Sequence, residues 1–238
     1  MLLEVAGLRK SFGSIVVADD IDLSIAPGEA VGIIGPNGAG KTTLFNLIAG
    51  GLSPNAGTIR FDGLDLANMP PQGRCRAGIG RTHQIPQPFE KLTVFENLLV
   101  GAVHGRSQSE SQAAQSCGEV LERLGLLKRA NALAGSLTLL ERKRLEMARA
   151  LATSPKLLLL DEIAGGLTEG ECTELVATIS DIRSTGVAIL WIEHVVHALL
   201  AVVDRLAVLN FGRKIAEGSP REVMALREVH QIYIGIEA

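Results

Sequence analysis

Aromatic side chains are scarce in this 238-residue chain, at 3% of residues, so its hydrophobic content of 47% is almost wholly aliphatic. Cysteine is scarcer still. Cys75, Cys117 and Cys172 are odd in number and widely spaced, which argues against a disulfide framework or a Cys-x-x-Cys metal site and fits a reducing compartment. Long apolar runs are missing too: Leu157 to Leu160, Val187 to Ile192 and Val195 to Val203 all fall short of the roughly 18 residues that span a bilayer. No transmembrane helix is expected. Neither sign of charge is in excess, with Lys+Arg 23 against Asp+Glu 26 and a net charge of -3, so there is no general attraction to nucleic acid or to anionic lipid. The segment MLLEVAGLRKSFG carries Glu4 and lacks a basic leader followed by an apolar run, so no signal peptide is expected. The apolar fraction is too high for a disordered chain. At this size about 70% of the unfolded surface can be buried, enough for one large domain or one domain with a small lobe.

What is present is an ordered succession of strand and helix patterns. Short alternating runs from Leu2 to Asp22, interrupted by Gly7 and Gly13, predict an antiparallel β layer. Pro27-Gly28 marks a turn, Val31 to Ile34 reads as a strand, and a glycine-rich loop then leads into a helix over Lys41 to Ala49. GTIRFDG reads as a second short β segment and MPPQGR as a turn. From Pro86 to Ser154 the periodicity is helical, at Val94, Leu98 and Leu99 and again at Val120, Leu121, Leu124 and Leu127, around a polar connector HGRSQSESQAAQS. Strand and helix then alternate again: a strand over Leu157 to Leu160, a helix from about Glu171 to Ser184, a strand over Val187 to Ile192, a helix through Val203, and closing strands at Arg205 to Leu209 and Lys214 to Glu217. The expected fold is α/β, with a mostly parallel sheet covered on both faces, an antiparallel β layer and an inserted helical lobe. Residues 1–85 and 155–238 make the expected core and 86–154 the lobe. No internal repeat is visible.

The strongest chemical signal is Gly35-Pro36-Asn37-Gly38-Ala39-Gly40-Lys41-Thr42, a complete G-x-x-x-x-G-K-[ST] between an expected strand and an expected helix. A chance match in a chain of this length is on the order of one per cent. Glycines let the loop curl so that N–H groups and a helix N-terminus face phosphate oxygens; Lys41 supplies a point charge and the Thr42 hydroxyl a ligand for magnesium. Lys41 is expected to stand open to the ligand rather than packed. A second signal is the apolar strand Leu157 to Leu160 running straight into Asp161 and Glu162. Acids at the carboxyl edge of a parallel strand lie where open α/β sheets bind ligands. There Asp161 would hold magnesium through water and Glu162 would act as general base on the attacking water.

These elements and the material around them resemble the ATP-binding subunit of ABC transporters, over essentially the whole chain. The resemblance implies ATP and Mg2+ as ligands and extends the nucleotide set from Gly35 to Thr43. It implies an adenine-stacking role for Phe12 in LRKSFG, contact of Gln84 with magnesium and the attacking water, and a switch histidine at His194 that reaches the γ-phosphate. It also implies a homologous ATPase subunit as dimer partner, separate membrane permeases, indirectly an extracytoplasmic substrate-binding protein, no nucleic acid, and a peripheral place on the cytoplasmic face of the membrane. Phe89, Leu92 and Phe95 would offer the permeases an apolar contact. Within the family, RTHQIPQPFEKLTVFENLLVGA, RLEMARAL, IEHVVHALLAVVDRLAVLNFGRKIAEGSP and VHQIYIGIEA look most like the ATPase subunits of branched-chain amino acid importers.

The chain departs from the family pattern at its signature segment, ordinarily LSGGQ, which falls at Leu137, Thr138, Leu139, Leu140 and Glu141. In the family this segment opens a helix that holds the γ-phosphate of the nucleotide bound to the other subunit. Leu139 and Leu140 are expected to add bulk where glycine allows close approach, and Glu141 to repel the triphosphate, while Thr138 keeps a hydroxyl. Ile163 stands where the family has proline, and Thr168 where it often has aspartate. Two alternatives to an importer motor therefore stand: a catalytically weak half of an unlike pair, and a soluble ABC ATPase outside transport.

Overall fold

The computed structural model describes residues 1–106 and 109–234. Alternating apolar and polar positions make β1 (Leu3–Phe12) and β2 (Ile15–Ile25) an antiparallel hairpin that buries Leu3, Val5 and, past a bulge, Leu8. Next come β3 (Ala30–Ile34), α1 (Lys41–Ala49), β4 (Ala56–Phe61), β5 (Leu64–Asp65), α2 (Pro71–Ala77) and β6 (Ile79–Arg81). Three helices precede the next strand: α3 (Val94–Arg106), α4 (Glu110–Arg123) and α5 (Leu139–Ala152). The chain continues through β7 (Leu157–Asp161), α6 (Glu169–Ser184), β8 (Ala188–Ile192), α7 (Val196–Leu200), β9 (Arg205–Asn210), β10 (Arg213–Gly218), α8 (Pro220–Met224) and α9 (Arg227–Ile234).

Among the described residues the strands form an antiparallel sheet in the order β2-β1-β4-β5 and a second sheet in the order β10-β9-β3-β8-β7-β6. In the second sheet every pairing is parallel except that of β10 with β9. Its central strands are buried on both faces, which is why they read as unbroken apolar runs. In β7, Leu158 and Leu160 enter the core on the side of α3–α7, whereas Leu157 and Leu159 enter the core shared with α1 and the antiparallel sheet. Trp191 and Ile192 of β8 divide in the same way. Helices α3, α4 and α5 pack through Val94, Leu98 and Ala102, through Ala113, Cys117 and Leu121, and through Leu145 and Ala148, in a core continuous with one face of the parallel sheet.

Two sequence expectations are corrected. MPPQGR is not simply a turn: Pro71 opens α2, where its missing N–H costs nothing, and Gly78 closes the helix in the left-handed conformation. Arg74 of this helix is buried and donates to the carbonyls of Leu47 and Ile48, the C-terminal carbonyls of α1. The connector HGRSQSESQAAQS is largely helix. Ser109 caps α4 by accepting from the Gln112 N–H while Gln112 reaches back to Ser109, and Ala113 and Cys117 fill the buried stripe. Ser107 and Gln108 of that connector lie outside the described residues, as do residues 235–238 at the end of VHQIYIGIEA.

Candidate active site

Because β3, β6, β7 and β8 run parallel, their carboxyl ends share one edge of the sheet and deliver most of the candidate residues there. β3 leads into the loop 35–40, β6 into Gln84, β7 ends on Asp161, and β8 is followed by Glu193 and His194. The loop is held by close backbone packing. A Cβ at Gly35 would stand 2.2 Å from the Leu209 carbonyl oxygen, and one at Gly40, at φ 100°, 2.3 Å from that of Val17. Only glycine fits. Gly40 is the N-cap of α1 and brings no side chain to its first N–H groups, and the first turn holds no acid. By contrast Ser109, Thr138, Thr168 and Ser219 cap α4, α5, α6 and α8 with reciprocal Gln or Glu partners. The amino end of α1, reached through the glycine-packed loop and free of a side-chain cap, is suited to an external anion.

Lys41 is not open to solvent as expected. It is 5% exposed and folds over the loop, donating to the carbonyl oxygens of Gly35 at 2.6 Å and Pro36 at 3.0 Å. Burial pushes its pKa down, against Glu162 and Asp161, which act in the opposite direction. Thr42 is exposed and Thr43 half-buried at the start of α1; Asn37 and Gly38 are exposed, Pro36 half-buried and Ala39 buried.

Asp161 is buried, and burial pushes its carboxyl pKa up despite a hydrogen bond and ion pair with Arg81 at 3.1 Å. Arg81 is held in turn by Asn46 Oδ1 at 2.6 Å. The second carboxylate oxygen, Oδ1, is buried without a hydrogen-bond partner among the described residues. An orphaned, buried carboxylate oxygen is the kind of ligand a hard cation takes, so Asp161 fits magnesium.

Glu162 follows at φ 46°, a left-handed conformation that turns its side chain out of the strand register. Both carboxylate oxygens are engaged. Gln84 Nε2 donates to Oε2 at 2.5 Å, and His194 Nε2 lies 2.7 Å from Oε1. A cavity of about 340 Å3 opens beside them, lined by Gln84, Glu162, His194, Lys143 and Leu139 among others. Phe12 stands apart from this cluster at the end of β1, exposed, with the Lys10 ammonium 5.1 Å from its ring centre.

The segment 137–141 differs from expectation in two respects. Leu140 is 8% exposed and points into the helical core with Leu137, so it adds no bulk at the surface; Leu139, at 43%, is the leucine that does. Glu141 is not a free charge. Its Oε2 accepts the Thr138 N–H at 2.9 Å, its N–H is capped by Thr138 Oγ1, and its Oε1 lies 3.1 Å from Arg129 Nε. Thr168 likewise serves as the cap of α6, and Ile163 is fully buried.

Sequence reasoning missed the buried polar frame behind the site. Glu193 accepts the N–H groups of Ala164 at 2.9 Å and His194 at 3.0 Å, joining the segments that follow β7 and β8. Lys143 donates to the Gln84 carbonyl at 2.9 Å. Lys143 lies three residues after Leu140 and four before Met147, on the buried stripe of α5, a spacing that could have marked it.

The chain's relatives share this architecture. The model of the ABC transporter family matches residues 18–165. The high-affinity branched-chain amino acid transport ATP-binding protein LivG of Escherichia coli strain K12 is 37% identical over 249 residues, covering 98% of each chain. The lipopolysaccharide export system ATP-binding protein LptB of Haemophilus influenzae is 35% identical over 234 residues, covering 98% of this chain and 97% of its own. An ATP-binding cassette of an ABC transporter solved in its ADP conformation superposes with a TM-score of 0.90 at 32% identity, covering 99% of both chains.

Proposed function

The chain belongs to the ABC transporter family and is the ATP-hydrolysing subunit of a transporter, and on that premise we propose that it powers import of branched-chain or related amino acids. In this reading residues 1–85 and 155–238 form the nucleotide-binding core and 86–154 a helical subdomain. A homologous ATPase subunit completes the dimer, membrane permeases carry the substrate, and an extracytoplasmic binding protein delivers it. The ATPase sits peripherally on the cytoplasmic face; among the described residues no helix is long and apolar enough to cross a membrane. Phe89 is exposed, an open groove of about 380 Å3 is lined by Leu92, Leu99 and Val103 with Glu96 and His104, and Phe95 packs against the helical core. This is the face we assign to the permeases. The amino-acid assignment is supported by the likeness to LivG over nearly the full length of both chains, while the likeness to LptB leaves the direction of transport to experiment.

The observation that carries the hydrolytic reading is the grip of Gln84 and His194 on opposite oxygens of Glu162, next to the loop that holds Lys41. The triphosphate of ATP takes the N–H groups at the amino end of α1, and the Lys41 ammonium exchanges its loop carbonyls for phosphate oxygens. Thr42 and Asp161, with Gln84, would hold magnesium, which when bound would supply charge to neutralise the phosphates. Phe12 offers its exposed face to the adenine. Release of Oε2 by Gln84 frees a carboxylate oxygen, which takes a proton as water attacks the γ-phosphorus and the bond to ADP breaks; such a base contributes about 10²–10⁴-fold. His194 keeps Oε1 fixed meanwhile.

One observation favours an unlike partner. Leu139 projects at the start of α5, so a homodimer would carry that obstruction at both composite sites. The test of the transport reading is reconstitution with co-purified permeases in proteoliposomes. Leucine, isoleucine or valine with its binding protein is expected to stimulate hydrolysis; stimulation by a lipid-linked glycan alone would overturn it.

A further inference from the structure

Lys143 is 4% exposed, and its ammonium lies where three elements meet. Nζ donates to the carbonyl oxygen of Gln84 at 2.9 Å, beyond β6, and to that of Glu162 at 3.4 Å, beyond β7. It projects from α5, five residues past the Thr138 cap and so about 7.5 Å along the axis. The carboxylates of Glu193, Glu162 and Glu146 surround it, and burial outweighs them in pushing its pKa down. A lysine serving only to balance buried acids would hydrogen bond to a carboxylate. These hydrogen bonds run to main-chain carbonyls, and to those of the two residues whose side chains meet at 2.5 Å.

We propose that Lys143 is a positioning residue for hydrolysis: it ties the backbone at Gln84 and at Glu162 to α5, so that the Gln84–Glu162 pair is aligned only while this helix is in place. The proposal rests on the reading of Glu162 as the base. It gives the amino end of α5, where Thr138 and Leu139 face a partner's nucleotide in that reading, a short mechanical route to this chain's own base. Neither carbonyl belongs to a ladder of the sheet; that of Glu162 also accepts the Gly165 N–H at 3.4 Å, and the ammonium is the contact that reaches both carbonyls from α5.

The test is steady-state hydrolysis and equilibrium MgATP binding by the full chain carrying Lys143→Met, Lys143→Arg, Gln84→Ala, or Lys143→Met with Gln84→Ala. Lys143→Met is expected to lower kcat about tenfold with KM within about twofold, the mark of an interaction felt in the transition state rather than in binding. Lys143→Arg keeps the charge and donors, has room in the adjoining cavity, and is expected to recover kcat to within about threefold. In the Gln84→Ala background Lys143→Met is expected to cost less than it does alone, because the two act on one alignment. Wild-type kcat in Lys143→Met, equal loss of kcat and ATP affinity, or full additivity with Gln84→Ala would each overturn the proposal. If Lys143→Met does not fold, Lys143→Gln carries the same comparison, with an intermediate kcat and unchanged KM expected. Glu162→Gln alongside separates the two readings. Wild-type turnover there overturns the base itself; its loss, with full turnover in Lys143→Met, overturns only the role of Lys143.

Discussion

Burial pushes the two key charges of the proposed nucleotide site toward neutrality, Lys41 downward and Asp161 upward in pKa. For a lysine with a lowered folded value the unfolded chain binds its proton more tightly, so its contribution to stability is complete above pH 10.5 and is lost as pH falls through the folded value. For Asp161 the folded form binds the proton more tightly; its contribution is present below pH 3.8 and lost as pH rises through the folded value. At neutral pH both groups therefore weigh against the fold. Two outcomes follow at this scale. Asp161→Asn is expected to be as stable as wild type or more stable by up to about 1 kcal/mol, since the amide oxygen it introduces can still accept from Arg81, while magnesium-dependent hydrolysis is abolished. Scanning calorimetry beside an ATPase assay checks both. Lys41→Ala is expected to keep its melting temperature within a few degrees and to lose about a hundredfold in MgATP affinity by titration calorimetry, the worth of a charge-assisted contact or two.

Within α5 the altered signature divides into one residue that faces outward and others that build the helix. Leu140 is packed in the core, so Leu140→Gly is expected to cost about 3–5 kcal/mol, from cavity formation and helix propensity together. Leu139→Gly, at an exposed first-turn position, is expected to cost about 1 kcal/mol and to raise steady-state hydrolysis by removing the obstruction. Urea melts and ATPase rates of the two single variants check this pair. Sequence reading could place a loop between β3 and α1 because strand, glycine loop and helix follow one another there. It could not see which leucine faces in, because Leu139 and Leu140 differ only in their angle about α5. The helix α2 was hidden by two prolines and Gly73, although a proline is at home in a first turn. The start of α4 was hidden because Ala113 and Cys117 make a buried stripe out of small residues.

At the scale of the whole chain, the parallel sheet presents the loop, Asp161 and Glu162 on one edge and α5 reaches in through Lys143, while Phe12 stands apart at the end of β1 in the antiparallel sheet. That P-loop and acids lie at strand ends of one parallel sheet was legible from the alternation of strand and helix, and the spacing of Lys143 on α5 marks it as buried, whereas the contacts of Arg81, Lys143 and Glu193 were not legible. Their partners lie 80, 59 and 29 residues away in sequence, and no local pattern announces such contacts. The central claim is that Glu162, gripped by Gln84 and His194, is the base. Single-turnover hydrolysis of bound ATP by wild type and Glu162→Gln, with a competent partner subunit present, tests it most directly. Glu162→Gln is expected to bind ATP within about threefold of wild type and to hydrolyse it at least about a hundredfold more slowly, accumulating an ATP-bound dimer on size exclusion. Equal single-turnover rates for the two proteins would contradict the account.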